Sequence, residues 1–558
     1  MPLLLEAWAL PSAIVFIVYI TTLWYAEVLH EVPNPYLDEY FHIPQAQKYC
    51  KGDYSWDPKI TTPPGLYLVS KLSKPLLGCE TSSLRLLNAE ALCIIMIMSY
   101  SILRLLRKRQ NPGKSLQEHE NSAERDSAVR DPTFVVDVHS ALNIALFPPL
   151  FFFSALYYTD VMSTLAVLFA YSAYLTSSMS KRTIVGMIST VALGVFALLF
   201  RQTNIFWVAV FPAGLAVIET LKKDAPATFS TSSDLRSAVQ TSWNDGAIYD
   251  SHVQDAGLHD VVMFLLSVVV AALRKPLIVL KVTLPYITLL FLFTGFVIWN
   301  GSVVLGDKSA HTATIHLPQM LYIWPYIMFF SAPLLIGPLL RPAVTFLPRR
   351  LQTLCHEHLN ISYYGIPTTA TTAFFIAGSF LAVNFNTIIH PYTLADNRHF
   401  VFYVFKVLRL YPTLKYLAVP VYYICAWTTV QALASPPQPV SPEKEQTPME
   451  KSKASLTKDN AGRPTCQISF VIVWLVTTAL SLITAPLVEP RYFIIPWIIW
   501  RLHVPCNQAV MSNSRGLDVR MVLETVWLLA INAAVSNTFL YRTFTWSSEP
   551  GNLQRFIW

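Results

Sequence analysis

The sequence predicts an all-α polytopic membrane protein with about 12–13 transmembrane helices, on the basis of three observations. The 558 residues are 53% hydrophobic and 13% charged, whereas soluble domains carry about 25% charged residues. Apolar runs long enough to cross a bilayer recur along the whole chain. The 32 Phe, 26 Tyr and 14 Trp suit the two interfaces of a bilayer. This composition excludes a disordered chain and argues against a soluble enzyme.

Twelve apolar runs have spanning length, and a thirteenth is shorter. The first run lacks a basic leader and a small-residue cleavage site, so we expect it to be retained as a span. The run 492–504 is either a span or a re-entrant segment, and the stretches 64–78 and 261–273 are predicted to form amphipathic interfacial helices. The twelve runs lie at 9–29, 86–105, 138–157, 161–179, 183–200, 205–221, 276–299, 319–338, 367–389, 414–434, 467–486 and 521–541.

Three long connections are hydrophilic and define one side of the membrane. Their content of charged residues, Ser and Pro predicts flexible segments. Basic residues such as Arg107 and Lys222 stand at the span ends on this side, so the positive-inside rule makes it cytosolic. We predict one membrane domain over residues 1–558, with flexible cytosolic tracts at 107–132, 222–260 and 435–465.

Six other connections are dense in specific polar and aromatic residues. They are the first non-cytosolic loop, predicted over 30–85, and the loops that contain YYTD, RQTN, NGSVVLGDKSAH, HPYTLADNRH and EPRYF. Counting spans from a cytosolic N-terminus places all six on the face opposite the flexible tracts. Six unlinked loops would rarely collect such residues on one face by chance. The sequence therefore predicts a site just above the membrane, built from these loops and short interfacial helices.

Asp38 and Glu39 follow the first span directly and are the strongest candidates for a general base. A solvated helix cap is the alternative interpretation of an acidic pair in this position. The segment DEYFHIPQAQKY carries apolar and aromatic residues at about helical spacing. One carboxylate should therefore face the protein, where burial would raise its pKa, and the other should face solvent.

Cations in the other loops lie close to acidic or amide side chains. Some of these could be loop-fixing ion pairs, such as Glu489 with Arg491 or Asp396 with Arg398. They could equally bind a lipid phosphate, which Arg contacts in bidentate fashion. Aromatic residues such as Tyr40 could anchor the protein at the interface. The candidate substrate-binding residues are Asp160, Arg201, Lys308, His311, His390, Tyr392, Asp396, Arg398, His399, Glu489 and Arg491, beside the aromatics Tyr36 and Trp56.

Several kinds of site are missing from the sequence. There is no Walker A motif, no GxGxxG after a strand, no DxD motif and no Cys/His metal spacing, so we predict neither a cofactor nor a metal site. A net charge of +7 from scattered residues does not indicate nucleic-acid binding. Cys50 and Cys79 flank one polar loop and could pair if it faces an oxidising compartment.

Two rival classes share the same evidence for many spans. A transporter or channel would show ionisable residues inside the spans, and these are not evident. A membrane scaffold without catalysis would use the flexible tracts as its binding surface.

The sequence contains two N-glycosylation sequons, and neither gives information about function. Asn300 lies about one residue from the predicted membrane edge, and Asn360 lies on the predicted cytosolic side.

Several long motifs resemble the Die2/Alg10 family of α-1,2-glucosyltransferases, which belongs to the GT-C superfamily. They are LDEYFHIPQAQKYCKGDYSWDPKITTPPGLYLVS, YYTD, FRQTNIFWV, GDKSAH, HPYTLADNRH, EPRYFIIP and QRFIW, and they run from the first span to the last residues. The resemblance implies a multi-pass protein of the endoplasmic reticulum membrane with a lumenal site. It also implies dolichyl-phosphate glucose as donor and Glc2Man9GlcNAc2-diphosphodolichol as acceptor, with membrane lipids around both.

The resemblance also implies roles for particular residues. GT-C enzymes carry a catalytic acidic residue in the first lumenal loop, which assigns the base to Asp38, with Glu39 as the second choice. The loops with Arg398, His399 and Arg491 correspond to the region that holds the donor phosphate in GT-C proteins. A β-linked donor and an α-linked product require inversion, so a single displacement is expected. The nearest competitor is another dolichyl-phosphate-dependent glucosyl- or mannosyltransferase.

Overall fold

The computed structural model describes residues 2–110, 133–179, 183–225, 234–308, 314–358, 367–434, 466–485, 487–505 and 518–558. Nearly all of the regular structure is helical. The helices are α1 Pro2–Glu31, α2 Glu39–Lys51, α3 Gly65–Leu77, α4 Thr81–Gln110, α5 Phe134–Ala145, α6 Pro148–Phe153, α7 Thr159–Met179, α8 Ile184–Leu198, α9 Phe211–Asp224, α10 Leu235–Asp245, α11 Leu258–Arg274, α12 Pro276–Asn300, α13 Gln319–Phe330, α14 Ala332–Leu335, α15 Gly337–Val344, α16 Arg349–His358, α17 Thr369–Asn386, α18 Pro391–Ala395, α19 Phe400–Leu410, α20 Leu414–Gln431, α21 Ile468–Leu482, α22 Ile494–His503 and α23 Val519–Tyr541.

Short elements complete the described chain. A π-helical turn, Phe206–Val210, leads directly into α9, and two 3-10 turns cover Val253–Asp255 and Pro490–Phe493. A single antiparallel hairpin follows α23 and pairs β1 Phe544–Trp546 with β2 Glu549–Gln554.

The prediction of an all-α polytopic membrane protein is confirmed. Five helices of the described chain, α1, α4, α7, α12 and α23, are long and apolar enough to cross a membrane. Helices α5, α8 and α21 are apolar but shorter. Several predicted spans are broken into successive helices, because prolines remove backbone donors within the apolar runs. The run 138–157 breaks before Pro148, and the run 319–338 is divided into α13, α14 and the start of α15.

Buried tryptophans satisfy carbonyl groups near these breaks. The indole Nε1 of Trp24 donates to the carbonyl of Phe152 at 3.1 Å, and that of Trp474 donates to the carbonyl of Pro496 at 3.0 Å. Trp497 is stacked on Phe147 with ring centroids 3.8 Å apart. Backbone carbonyls in an apolar interior need internal donors, so these rings stabilise the interrupted helices as well as filling the core.

The described part of the tract 222–260 differs from the flexible segment that its composition predicts. Residues 235–245 form α10, and Asp250 binds both Lys222 and the backbone N–H of Ser469. The Asp250 carboxylate thus ties the connection to the start of α21. The other two predicted tracts lie outside the described residues over 111–132 and 435–465.

The first long loop, predicted over 30–85, is folded into two helices that lie between α1 and α4. Helix α2 carries the Asp38–Glu39 region at its start, and α3 matches the amphipathic helix predicted at 64–78. A disulfide joins Cys50, near the end of α2, to Cys79, just before α4. The bond that the sequence left open is therefore formed, and it anchors α2 to the start of a long membrane helix.

Candidate active site

The chain reverses sharply just before the acidic pair. Leu37 has φ of 53°, a left-handed conformation that is unfavourable for a residue with a branched side chain. Asp38 stands at the N-cap position of α2 but makes no side-chain capping bond. The helix-cap interpretation of Asp38 is therefore not supported. Strain in the residue before a carboxylate is typical of functional sites, where the surrounding structure holds the backbone in place.

Glu39 points into the protein, as the helical spacing predicts for one member of the pair. It is fully buried and accepts hydrogen bonds from Arg85 at 2.6 and 2.9 Å. It also accepts from the backbone N–H groups of Tyr36 at 3.0 Å and Tyr157 at 2.6 Å. These donors occupy both carboxylate oxygens. Glu39 thus joins the loop after α1 to α4 and to the loop before α7, and it supports the site without facing it.

Asp38 points the other way and lies against Arg491, which is 453 residues distant in the sequence. Its side chain is 41% exposed, and Oδ2 accepts from the Arg491 Nη1 at 2.9 Å. The same guanidinium binds Glu489 and lies 3.9 Å from Asp160. Arg491 therefore connects three carboxylates from three separate loops.

Asp160 and Arg201 form the inner side of this cluster. The Arg201 Nη2 lies 2.9 Å from the Asp160 Oδ1, and Asp160 is buried at the start of α7. The two guanidinium groups lie over aromatic rings, Arg201 over Tyr492 and Arg491 over Tyr158, each with the guanidinium carbon 5.9 Å from the ring centroid. These rings hold the cations in place and exclude water from one side of them.

The charges of the cluster determine the state of the exposed carboxylate. Partial burial alone would raise the pKa of Asp38, but Arg491, together with the charges of His42 and His399 when they are protonated, more than offsets it, and the pKa lies below its usual value. The pKa of Glu489 is lowered in the same way. His42, one turn into α2, has a pKa of about 4 because burial disfavours its charged form. At neutral pH, Asp38 is therefore ionised and the imidazole beside it is neutral.

A second group of side chains adjoins the first. The Arg398 guanidinium binds Asp396 through two donors, with Nη2 2.7 Å from Oδ2, and lies 4.6 Å from the centroid of the Trp546 ring. His399 is close enough that its charge, when protonated, contributes to lowering the pKa of Asp38 and of Glu489, after the larger effects of burial and of Arg491. The structure thus brings together candidates from five of the six predicted loops.

Other predicted site residues lie elsewhere. Lys308 binds the carbonyl of Asn300 within its own loop. His390 caps α18 by accepting from the N–H of Tyr392 at 3.3 Å, and the Tyr392 side chain is exposed. His311 is outside the described residues. The loop of Lys308 instead closes over the first loop, since the Asp307 N–H donates to the Pro58 carbonyl at 2.7 Å.

Sequence reasoning missed residues that support the site from within. Tyr158 donates through its hydroxyl to the Tyr36 carbonyl at 3.5 Å and accepts from the Asp38 N–H at 3.2 Å. His42 shares a hydrogen bond of 2.5 Å with the Tyr67 hydroxyl. Tyr158 and His42 both lie in motifs that the sequence analysis identified. Their spacing alone does not show whether a side chain supports the site from the protein interior or anchors the protein at the membrane interface.

Within the described ranges, no group of three His, Cys, Asp or Glu side chains is arranged to hold a metal ion. The carboxylates of the site are instead paired with arginines, an arrangement that suits an anionic substrate group more than a divalent cation.

Similarity to known proteins identifies the family of this chain. The DIE2/ALG10 family model matches residues 32–502. The chain belongs to the DIE2/ALG10 family. A relative from Aspergillus fumigatus is 39% identical, covering 98% of this chain and 97% of its own length. Relatives from Homo sapiens and Arabidopsis thaliana are 30% and 31% identical, with at least 97% of each chain covered.

All three relatives are named Dol-P-Glc:Glc(2)Man(9)GlcNAc(2)-PP-Dol alpha-1,2-glucosyltransferase. The solved structure of an Archaeoglobus fulgidus oligosaccharyltransferase aligns with 92% of this chain and 59% of its own, at 10% identity and a TM-score of 0.25. That score is too low to support an argument about either fold or function.

Proposed function

We propose that this family member is the glucosyltransferase for which its relatives are named. It transfers glucose from dolichyl-phosphate glucose to Glc2Man9GlcNAc2-diphosphodolichol and forms the terminal α-1,2 linkage. This reaction is the last step in assembling the lipid-linked oligosaccharide for N-glycosylation. The observation that carries the chemical proposal is the half-exposed carboxylate of Asp38, which is paired with Arg491 at the edge of a cluster of carboxylates and arginines.

Asp38 is the base in this mechanism. Its low pKa keeps it ionised, and its exposed face can accept a proton from the 2-hydroxyl of the acceptor's outer glucose. The oxygen then attacks the anomeric carbon opposite the leaving phosphate, so the C–O bond to phosphate breaks as the new one forms. Glu39 is unsuited to this role because its two oxygens are buried against Arg85 and two backbone donors.

The leaving phosphate needs donors near Asp38 but on the opposite side of the sugar. Three carboxylates surround the positive charge of Arg491, whereas the charge of Arg398 is neutralised chiefly by Asp396 alone. Arg398 is therefore more available to a phosphate group. His399 donates from Nδ1 to the Trp558 carbonyl, and its Nε2 lies 3.9 Å from Asp396. We assign the phosphate to the Arg398–His399 side, where one such donor can be worth about 3 kcal/mol in the transition state.

The lipid tail of the donor has an apolar surface beside this position. Helix α19 begins directly after His399, and its exposed side chains include Val404, Val407 and Leu410. A polyprenyl chain can lie along such a helix while its phosphate reaches the loop before the first turn. The placement accounts for a reaction that takes place at a membrane surface instead of in a soluble cleft.

We place the site in the lumen of the endoplasmic reticulum. The Cys50–Cys79 disulfide lies in the loop that carries Asp38, and disulfides form in the lumen but rarely in the cytosol. Basic residues at the opposite ends of the helices agree with a cytosolic side there. An example is Arg107, at the end of α4, which pairs with Asp137.

The decisive experiment supplies the purified protein in nanodiscs with a dolichyl-phosphate glucose analogue and a diglucosylated lipid-linked acceptor. Mass spectrometry and linkage analysis should find one added α-1,2-linked glucose. Asp38→Asn should reduce the rate by at least about 1,000-fold, because both base catalysis and the ion pair with Arg491 are lost. Asp57→Asn is the matched control in the same loop, since the Asp57 carboxylate caps a local turn at the Lys59 N–H.

Other outcomes separate the rival functions. Transfer of mannose but not glucose would assign the chain to a different dolichyl-phosphate-dependent transferase. Absence of any transfer by folded protein would favour the scaffold or transporter. Full activity in Asp38→Asn would remove Asp38 from the mechanism while leaving the overall reaction in place.

A further inference from the structure

The last residues of the chain fold back onto the site, and the mechanism above does not use them. We call residues Gln554–Trp558 the return segment. The β1–β2 hairpin reverses the chain after α23, with Phe544 paired to Gln554. Within the segment, Arg555 is 6% exposed and Ile557 is 1% exposed. Such complete burial at the edge of a helical bundle indicates a structural connection to the loops that cover it.

One end of the return segment is attached to the loop that carries Asp38. The Arg555 N–H donates to the Tyr36 hydroxyl at 2.8 Å, and that hydroxyl donates to the Arg555 carbonyl at 2.7 Å. The Arg555 guanidinium donates to the Glu31 carbonyl at the end of α1, at 2.8 Å, and to the Phe539 carbonyl near the end of α23, at 2.9 Å. Tyr36 is therefore fixed two residues before the proposed base.

The other end is attached to the loop of the proposed phosphate donors. The Ile557 N–H donates to the Arg398 carbonyl at 2.9 Å, and the Phe400 N–H donates to the Ile557 carbonyl at 3.2 Å. At the first residue of the return segment, the Gln554 Oε1 also accepts from the Arg398 Nη1 at 3.0 Å. His399 forms a hydrogen bond of 3.2 Å between its Nδ1 and the Trp558 carbonyl.

We propose that the return segment is a positioning element that fixes the loop of Asp38 relative to the loop of Arg398 and His399. This proposal rests on the proposed function, in which those loops hold the base and the leaving phosphate. Five residues with few degrees of freedom bridge two loops that are otherwise about 360 residues apart in sequence. A displacement of about 1 Å between reacting groups can reduce a rate by about 100-fold.

Two substitutions break the two attachments separately. Tyr36→Phe removes the hydroxyl that binds Arg555 and keeps the ring that packs on Phe539. Ile557→Pro removes the N–H that donates to the Arg398 carbonyl. Tyr541→Phe, at an exposed tyrosine at the end of α23, and Ile557→Val are the matched controls.

Each disruptive variant should lower kcat by about tenfold, the effect of losing one or two hydrogen bonds, with KM for both substrates within about twofold. Because both act on the same connection, the double variant should be no slower than the slower single variant by more than about twofold. A double variant whose loss of kcat equals the product of the two single losses would contradict a shared connection. Unchanged kcat per folded molecule, with only a lower melting temperature, would reduce the segment to a structural role.

Amide hydrogen exchange tests the connection without using activity. Ile557→Pro should raise exchange in residues 398–400, where its contacts are lost, and also in residues 38–41, which it does not touch. Faster exchange in 398–400 alone would overturn the positioning role. If wild-type protein transfers no glucose while this coupling is present, the proposed function fails and the mechanical connection stands.

Discussion

At the scale of single residues, the adjacent carboxylates Asp38 and Glu39 have opposite roles because they lie on opposite sides of one helix turn. Asp38 is half-exposed and paired with Arg491, whereas Glu39 is buried and paired with Arg85. The sequence predicted this division from helical spacing. It did not identify Arg85, which stands at the start of α4 and has the appearance of an ordinary basic residue near the end of a span.

Glu39→Gln should destabilise the protein more than it affects the chemistry. The substitution leaves the fully buried Arg85 without its counter-charge, a loss that typically costs about 3–5 kcal/mol. We expect a large drop in melting temperature and in the yield of monodisperse protein in detergent. Glu90→Gln on the exposed face of α4 is the control and should leave both unchanged. A stable Glu39→Gln protein without activity would indicate a direct catalytic role.

Arg491 should set the acidic limb of the pH profile. Burial raises the pKa of Asp38, and Arg491 lowers it to below the usual value of 3.8. A lowered pKa keeps the base ionised as the pH falls, so wild-type kcat should be flat from neutral pH down to about pH 5. In Arg491→Gln the main opposition to the burial effect is lost, so the pKa of Asp38 rises and the residual activity should begin to fall at a higher pH.

His42 provides the comparison for that profile. Its pKa of about 4 makes it neutral above about pH 5, so it contributes no charge there. His42→Gln should therefore lower the rate through the lost bond to Tyr67 and should move the acidic limb less than Arg491→Gln does, because the His42 charge contributes less than that of Arg491 to lowering the pKa of Asp38. Equal shifts in the His42 and Arg491 variants would show that general loosening of the site, and not the guanidinium charge, controls the pKa of Asp38.

At the scale of elements, the disulfide between α2 and the start of α4 holds the helix that carries the proposed base. Cys50→Ser with Cys79→Ser should reduce the free energy of unfolding by about 3–4 kcal/mol, because the closed loop spans a sequence separation of 29 residues. Cys93→Ser, at a free cysteine in α4, is the control. Alkylation of non-reduced protein followed by peptide mass spectrometry checks the bond, and modified Cys50 would contradict it.

The elements also show what the sequence could predict. Hydropathy located the long apolar helices and the amphipathic α3 and α11, because apolar length and periodicity are local properties, but it did not predict the shorter helices α10, α16 and α19. It did not predict that the apolar run 319–338 is broken into short helices, since breaks depend on whether neighbours such as Trp497, which donates to Ser331, can satisfy freed polar groups. The folded segment 234–260 was missed because polar composition concealed contacts made through Asp250.

The site follows the same division between local and distant information. The loops were predicted to converge on one face, and five of them do so. The pairing of Asp38 with Arg491 could not be predicted, because several cations in these loops were equally suitable partners for the Asp38 carboxylate. Lys308 carries the same charge as the arginines but binds a carbonyl group in its own loop. Which of these partners a cation contacts depends on the three-dimensional structure.

At the scale of the whole molecule, the proposed chemistry requires the face with Asp38 to lie in the lumen. Asp53 is exposed in the first loop, more than 20 residues after the end of α1. Asp53→Asn creates the acceptor sequence Asn-Tyr-Ser, because Tyr54 and Ser55 follow. In cells, this variant should gain one N-linked glycan, visible as a slower band that peptide-N-glycosidase removes.

The natural sequons provide internal controls for that experiment. The Asn300 side-chain amide is committed to the carbonyls of Ser302 and Val304, each at 2.8 Å, so wild-type protein should carry no glycan there. Asn360 lies outside the described residues, and we predict that its cytosolic position also leaves it unmodified. A glycan on Asp53→Asn alone would place Asp38, the disulfide and the arginine cluster in the compartment where the lipid-linked oligosaccharide is completed. A glycan at Asn360, with none on Asp53→Asn, would reverse the orientation and with it the proposed reaction.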